Sequence, residues 1–143
     1  MPKLFTTHAA AAVIIIRLMV GAVFVSEGIQ KFLYPPEVGA GRFEKIGISS
    51  PQIVAPLVAC FEIGCGALVL LGLGTRLAVV PLIVVMLTAI ATTKIPILLE
   101  QGFWKMAHEA RTDWSMLLGS VFLLIVGAGP LSCDAKLSAE RQE

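Results

Sequence analysis

Long apolar runs separated by short polar segments organise this chain of 143 residues. The runs cover 9–32, 53–73, 77–97 and 114–131. At ~1.5 Å rise per residue, ~20 helical residues match the ~30 Å hydrocarbon core of a bilayer. No segment shows the strict alternation of a half-buried strand. The pattern predicts an all-α fold: a polytopic membrane protein, built as a four-transmembrane-helix bundle in a single domain over 1–143.

The polar segments supply the punctuation. Tyr34-Pro35-Pro36 stops the first helix, because proline lacks an N–H and restrains the residue before it. Arg42-Phe43-Glu44-Lys45-Ile46-Gly47-Ile48 reads as a short interfacial helix. Ser50-Pro51 is expected to start the second span, with a hydroxyl cap and proline at the first helical position. Gly72-Leu73-Gly74-Thr75-Arg76 predicts a tight hairpin with a left-handed glycine at the helix end. Pro81 and Pro96 are candidates to bend the third span. Thr112 or Asp113 is expected to cap the fourth, and the tail after Ser132 reads as short, polar and frayed.

Composition agrees with a membrane protein. The hydrophobic fraction is 57%, charged residues are 15%, and mean hydropathy is +0.87. Soluble domains carry roughly a quarter charged residues. A net charge of +1 with no basic tract excludes a nucleic-acid-binding chain. Lys3 before the first run resembles a signal peptide, but the run is long and lacks a small-residue cleavage pattern, so an uncleaved span is expected. Four spans put both termini on one side. Lys3, Arg76, Lys136 and Arg141 fall on that side, against Lys31, Arg42, Lys45, Lys94, Lys105 and Arg111 on the other. Taken literally, the count places the termini outside.

Two charges fall within the apolar runs. Arg17 interrupts 9–28 and Glu62 interrupts 54–73. A charge at mid-depth costs roughly 3 kcal/mol or more and rarely faces lipid. Arg17 lies eleven residues beyond Gly28, and Glu62 eight beyond Val54, counted from their shared connection. The depths then differ by ~5 Å, which predicts an Arg17–Glu62 pair. Two readings of that pair stay open: an ion pair that fixes helix register, or a site for a polar ligand or proton.

Arg17, Gly21, Phe24, Gly28 and Lys31 repeat at 4-3-4-3 spacing and form one helix face. Its glycines point to close helix packing. Gly64 and Gly66 are expected to leave room around Glu62. Glu27 and Lys31 form an i, i+4 pair in the favourable order. His108-Glu109-Ala110-Arg111-Thr112-Asp113 gathers an imidazole, carboxylates and a guanidinium beside the fourth span. It reads either as a solvated cap or as a cover over the bundle mouth in which His108 passes protons.

The cysteines offer no redox framework. Cys60 and Cys65 point ~140° apart on one helix, Cys133 follows the last span, and no C-x-x-C is present. They read as buried structural residues. His8 and His108 lie in different parts of the chain, so no metal or haem site is expected.

Taken in order, Arg17-x3-Gly21-x2-Phe24-x3-Gly28-x2-Lys31, Glu62 with Gly64 and Gly66, Gly72-Leu73-Gly74-Thr75-Arg76, Gly127-Ala128-Gly129 and Ser132-x-Asp134 resemble the DoxX family. The segment from His108 through Gly119 resembles one branch of it. The resemblance implies a compact four-helix protein of the bacterial inner membrane with cytoplasmic termini. It also implies a link to thiosulfate–quinone oxidoreduction or to membrane-bound oxidoreductase assemblies. The expectation is a redox-associated subunit in the bilayer whose polar interior binds a quinone-like or small polar ligand. Arg17, Glu62 and His108 are its core, with Glu27, Lys31, Glu109, Arg111 and Asp113 around them. No intrinsic cofactor is expected, and quinone and other membrane or redox subunits are the expected partners. The alternative is a structural or assembly subunit whose buried charges are architectural. A proton or solute transporter is a third, weaker reading.

Overall fold

The computed structural model describes residues 9–140, and the sequence-predicted groups Lys3, His8 and Arg141 lie outside them. All regular structure among the described residues is helical. The order is α1 (Ala9–Leu33), α2 (Pro35–Val38), α3 (Ala40–Lys45), α4 (Pro51–Leu71) and α5 (Thr75–Ala89). A π-turn (Ile90–Lys94) joins α5 to α6 (Ile95–Gln101), followed by α7 (Phe103–Glu109), α8 (Arg111–Val126) and α9 (Cys133–Glu140).

Four helices close a bundle in which α1 packs on α4, α4 on α5, α5 on α8 and α8 back on α1. Among the described residues, three stretches are long and apolar enough to cross a membrane: Ala10–Leu33, Pro51–Leu71 and Thr75–Gln101. The fourth is shorter than 114–131 suggested. Gly127 ends α8 after 16 residues, about 24 Å at the helical rise, and the following six residues are irregular.

The glycine stripe faces α4. A Cβ at Gly21 would lie 2.6 Å from Leu70 Cγ and 2.8 Å from Gly66 O; one at Gly28 would lie 2.8 Å from Ala59 O. Side chains of ordinary size cannot fit there, so the backbones touch, as small residues permit in membrane bundles. Phe24 fills the interval and is fully buried with Val20, Val69, Val79, Leu82 and Leu123. Gly66 packs on α1, while Gly64 faces open space. Neither makes room around Glu62.

Local signals fared unevenly. Pro51 does start α4, but Ser50 makes no side-chain cap and sits at φ 54°. Ala110, not Thr112 or Asp113, precedes α8. Within the tail, Cys133–Glu140 form α9, because Ser132 Oγ accepts from Ala135 N at 3.1 Å and caps the new helix. Pro81 is accommodated in regular α5. Pro96 coincides with the π-turn: its missing N–H and its ring both disturb the preceding turn, and Ile95 N–H reaches back to Ile90 O instead. Cys60 is exposed and Cys65 and Cys133 are half-buried, so none is the fully buried thiol expected.

Candidate functional site

The two charges that interrupt the spans do not meet. Their separation follows from the α1–α4 register: Gly21 lies against Gly66 and Leu70, and Gly28 against Ala59 and Glu62. This register carries Arg17 to the far end of α4. Counting from the connection failed because α1 continues to Leu33 and the first turns of α4 overhang it, packing on α3 instead. Eleven residues of α1 separate Arg17 from the level of Glu62, about 16 Å along the axis.

At that far end Arg17 is the centre of a closed knot. Its Nε donates to Val69 O at 3.0 Å, Nη2 to Leu70 O at 2.6 Å, and Nη1 to Ala128 O at 3.2 Å and Leu131 O at 2.5 Å. The guanidinium thus caps the C-terminus of α4, where the helix dipole is negative, and pins the loop after α8. Gly72 (φ 67°) turns the chain there, and a Cβ on it would strike Arg17 Cζ at 2.6 Å. Asp134 caps α5 from sixty residues away, accepting from Gly74 N at 2.7 Å and Thr75 N at 3.2 Å. Arg76 donates to Ile125 O at 3.1 Å and closes α8. Hence Arg17, Gly72–Arg76, Gly127–Gly129 and Ser132-x-Asp134, scattered along the sequence, assemble one architectural joint. Three helix ends each receive a charge of the opposite sign to their dipole.

The opposite end is open. A cavity of about 570 Å³ lies between the helices, within the usual range for small-molecule sites. Val23, Phe24, Val54, Val58, Val85 and Met116 form its apolar wall, and α3 with the following turn covers it with Arg42, Phe43, Ile46 and Ile48. Glu62 and Lys31 stand inside this wall, Nζ 2.7 Å from Oε2, with side chains only 3% and 10% exposed. At that distance the pair is a close ammonium–carboxylate contact in which each charge meets the other inside the wall. Lys31, expected to pair with the Glu27 side chain, instead touches only the Glu27 carbonyl at 3.5 Å. Glu27 lines the cavity from an exposed position.

A second ion pair reaches the same cavity through Asp113. Lys94 Nζ lies 3.3 Å from Asp113 Oδ2, tying the π-turn to the first turn of α8. Asp113, Thr112, Thr88, Thr92 and Thr93 line the space. The π-turn is what aims this polar run inward, and such turns recur at functional sites. Sequence reasoning missed Arg42, Thr88, Thr92 and Thr93 as lining residues. The signal available was the Thr92-Thr93-Lys94 run before Pro96 in an otherwise apolar helix.

The remaining expected residues lie apart. His108 is exposed and does not line the cavity; its carbonyl accepts from Arg111 Nη1. Glu109 pairs with Lys105 at 3.0 Å on the surface of α7. That bond and charge hold the Glu109 carboxyl below the usual glutamate value. The expected core of Arg17, Glu62 and His108 therefore divides among a structural joint, a cavity and an exposed helix end.

Comparison with known proteins agrees with this architecture. A DoxX family profile matches residues 12–95. A protein of Mycobacterium tuberculosis named "Uncharacterized membrane protein Rv3486" is 53% identical over 143 residues, covering 96% of this chain and 88% of that protein. Another, from Bacillus subtilis and named "Putative oxidoreductase CatD", is 31% identical over 121 residues, covering 85% and 83%. No solved structure matches. The profile spans more than half of the chain and both relatives align along most of their length, so this all-α membrane protein belongs to the DoxX family.

Proposed function

We propose that the protein is a redox-associated subunit of the bacterial inner membrane that binds a quinone-like ligand in the open-end cavity. The carrying observation is the Lys31–Glu62 pair, desolvated inside an otherwise apolar chamber of about 570 Å³. An apolar ring system gains from the Val, Phe and Met wall, and oxygen substituents gain from the charged and hydroxylated positions. The oxidoreductase name of the Bacillus subtilis relative supports the class of chemistry. Lys31 supplies positive charge to a ligand oxygen, Glu62 orients it, and Arg42 stands at the mouth. The electrons reside on the ligand or on a partner subunit. The termini are proposed to be cytoplasmic, which puts the cavity at the opposite face; thiol labelling of cysteines introduced at Lys45 and Lys136 tests that side.

The test of function is binding. Wild-type protein in lipid nanodiscs is titrated with a short-chain quinone while its thermal unfolding is followed. A ligand at a hundredfold excess over Kd stabilises by about 2.7 kcal/mol. That gain is expected to vanish in Lys31→Met and Glu62→Gln. No stabilisation of the wild type, with no quinone in its lipid extract, sinks the proposal.

Arg17 favours the second reading for itself alone. Its guanidinium is consumed by backbone carbonyls, which suits a structural subunit whose charges are architectural. If Lys31→Met combined with Glu62→Leu folds and keeps activity in the cell, that reading extends to the whole protein.

A further inference from the structure

We infer that the ligand of the cavity is a tailed, lipid-borne molecule that enters between α4 and α5 and leaves its apolar tail in the bilayer. This inference rests on the cavity being a quinone-like site, and adds to it a route and a tail. Two rows of side chains frame the route. On α4 they are Val54, Val58 and Glu62; on α5 and the π-turn they are Val84, Thr88 and Thr92. Each row repeats every four residues and so follows one flank of its helix.

The hairpin sets the two rows level. Counted from Leu73, Glu62 and Val84 each lie eleven residues away, Val58 and Thr88 fifteen, and Val54 and Thr92 nineteen. At ~1.5 Å per residue the first two levels are about 16 and 22 Å from the hairpin, within the ~30 Å hydrocarbon core. Nearer the hairpin the interior is filled, with Val69, Val79 and Leu82 fully buried. At the level of the cavity Val84 is 57% exposed and Thr88 is exposed, yet both line the space. A side chain that touches both the cavity and the outside marks an opening between them. Arg76, which reaches α8, marks the other flank of α5. Thr88 lies about 120° round the helix from it, which sets the opening on the α4 side.

At this depth the outside is acyl chain, so the opening suits an apolar molecule. The aqueous end is roofed instead, by Phe43, Ile46 and Ile48 of α3 and the following turn. A tail that stays in the bilayer meets no water on binding, whereas entry past α3 would draw it through water. The valines and threonines are too short to plug the slot, while the larger Leu57, Phe61 and Leu87 stand exposed beside it.

The experiment uses the whole protein in lipid nanodiscs, with affinity expressed per lipid so that partitioning cancels. The probes are dimethylnaphthoquinone, the same ring carrying a long alkyl tail, and a tailed analogue with a diazirine on the tail beside the ring. Irradiating the third is expected to label α4 and α5 at the two rows, and excess dimethylnaphthoquinone to remove that label. Val84→Trp, which sets an indole at the slot, should lower the ratio of tailed to tail-less affinity about tenfold. Leu77→Trp, also exposed on α5 but away from the cavity, should leave the ratio as in the wild type. Thermal unfolding confirms that each variant is folded. Label on α1 and α8 instead, or label that excess ring does not remove, overturns the inference and leaves the quinone-like site standing. Binding of the tail-less ring alone, an unchanged ratio in Val84→Trp, or an equal fall in Leu77→Trp also overturns it. Binding of neither ring removes the inference and the proposed function together.

Discussion

The arrangement of Arg17, Lys31 and Glu62 makes a prediction about coupling. Arg17 and Glu62 are about 16 Å apart along α1, beyond the ~7–10 Å at which substitutions usually interact. Lys31 and Glu62 are in contact at 2.7 Å. Arg17→Met deprives Leu70, Ala128 and Leu131 carbonyls of their guanidinium donor, while Val69 O still accepts from Gly72 N at 3.1 Å. At ~1–3 kcal/mol per buried group left unpaired, the loss from three carbonyls is about 3–9 kcal/mol. Glu62→Gln leaves the Lys31 charge uncompensated in a largely buried place, at a cost of about 3 kcal/mol. The Arg17/Glu62 double variant should then be additive within ~0.5 kcal/mol, whereas Lys31/Glu62 should couple by ~1–3 kcal/mol. Reversible unfolding in mixed micelles, read by helical circular dichroism, measures both cycles. Arg17→Lys replaces Arg17→Met if the latter does not fold, since it keeps the charge but loses the planar fork. A coupling above ~1 kcal/mol between Arg17 and Glu62, or none between Lys31 and Glu62, would refute the assignment.

Three further outcomes follow from the geometry. Asp134→Ala removes the acceptor shared by Gly74 N and Thr75 N and should lower stability by ~1–2 kcal/mol in the same unfolding assay, with Asp134→Asn losing less. Gly28→Ala forces a methyl against Ala59 O and should cost ~1–3 kcal/mol, whereas Gly64→Ala meets nothing within 4 Å and should be neutral or gain up to ~1 kcal/mol from helix propensity. Equal effects at the two glycines would contradict the packing described. Finally, Lys105 depresses the Glu109 carboxyl, so the contribution of that pair is present above the ordinary glutamate range and is lost as pH falls through the lowered folded value. Carboxyl NMR titration should show this depression, and Lys105→Met should return Glu109 toward its ordinary value.

Much of the expected site was legible only in part. Glu62 and Arg17 declared themselves by their charge within apolar runs, and both are buried, at 2% and 3% exposure. Their partners were hidden because pairing depends on how two antiparallel helices slide past one another. A shift of a few residues changes which side chains share a level, and hydropathy is nearly blind to such a shift. The glycine stripe held the missing information: it fixes where backbones touch, but only the structure shows that Gly21 meets Gly66 and Gly28 meets Ala59. Lys31 seemed settled by its i, i+4 neighbour Glu27. The desolvated carboxylate across the interface is the stronger attractor, because a buried charge needs its counter-ion more than an exposed one does.

The sequence by itself determined the helices, the membrane class and the inward face of α1, since these follow from the length, period and composition of local runs. The left-handed Gly72 at the end of α4 belongs with them, because a turn of that kind is chosen by one residue. Only the tertiary structure decided that Asp134 caps a helix begun at Thr75, that Arg17 closes α4 rather than facing Glu62, and that the π-turn lends its threonines to a cavity. The physical reason is one of range. Burial and propensity act on neighbours along the chain, whereas a buried charge is satisfied by whichever groups the packed helices bring to its own depth.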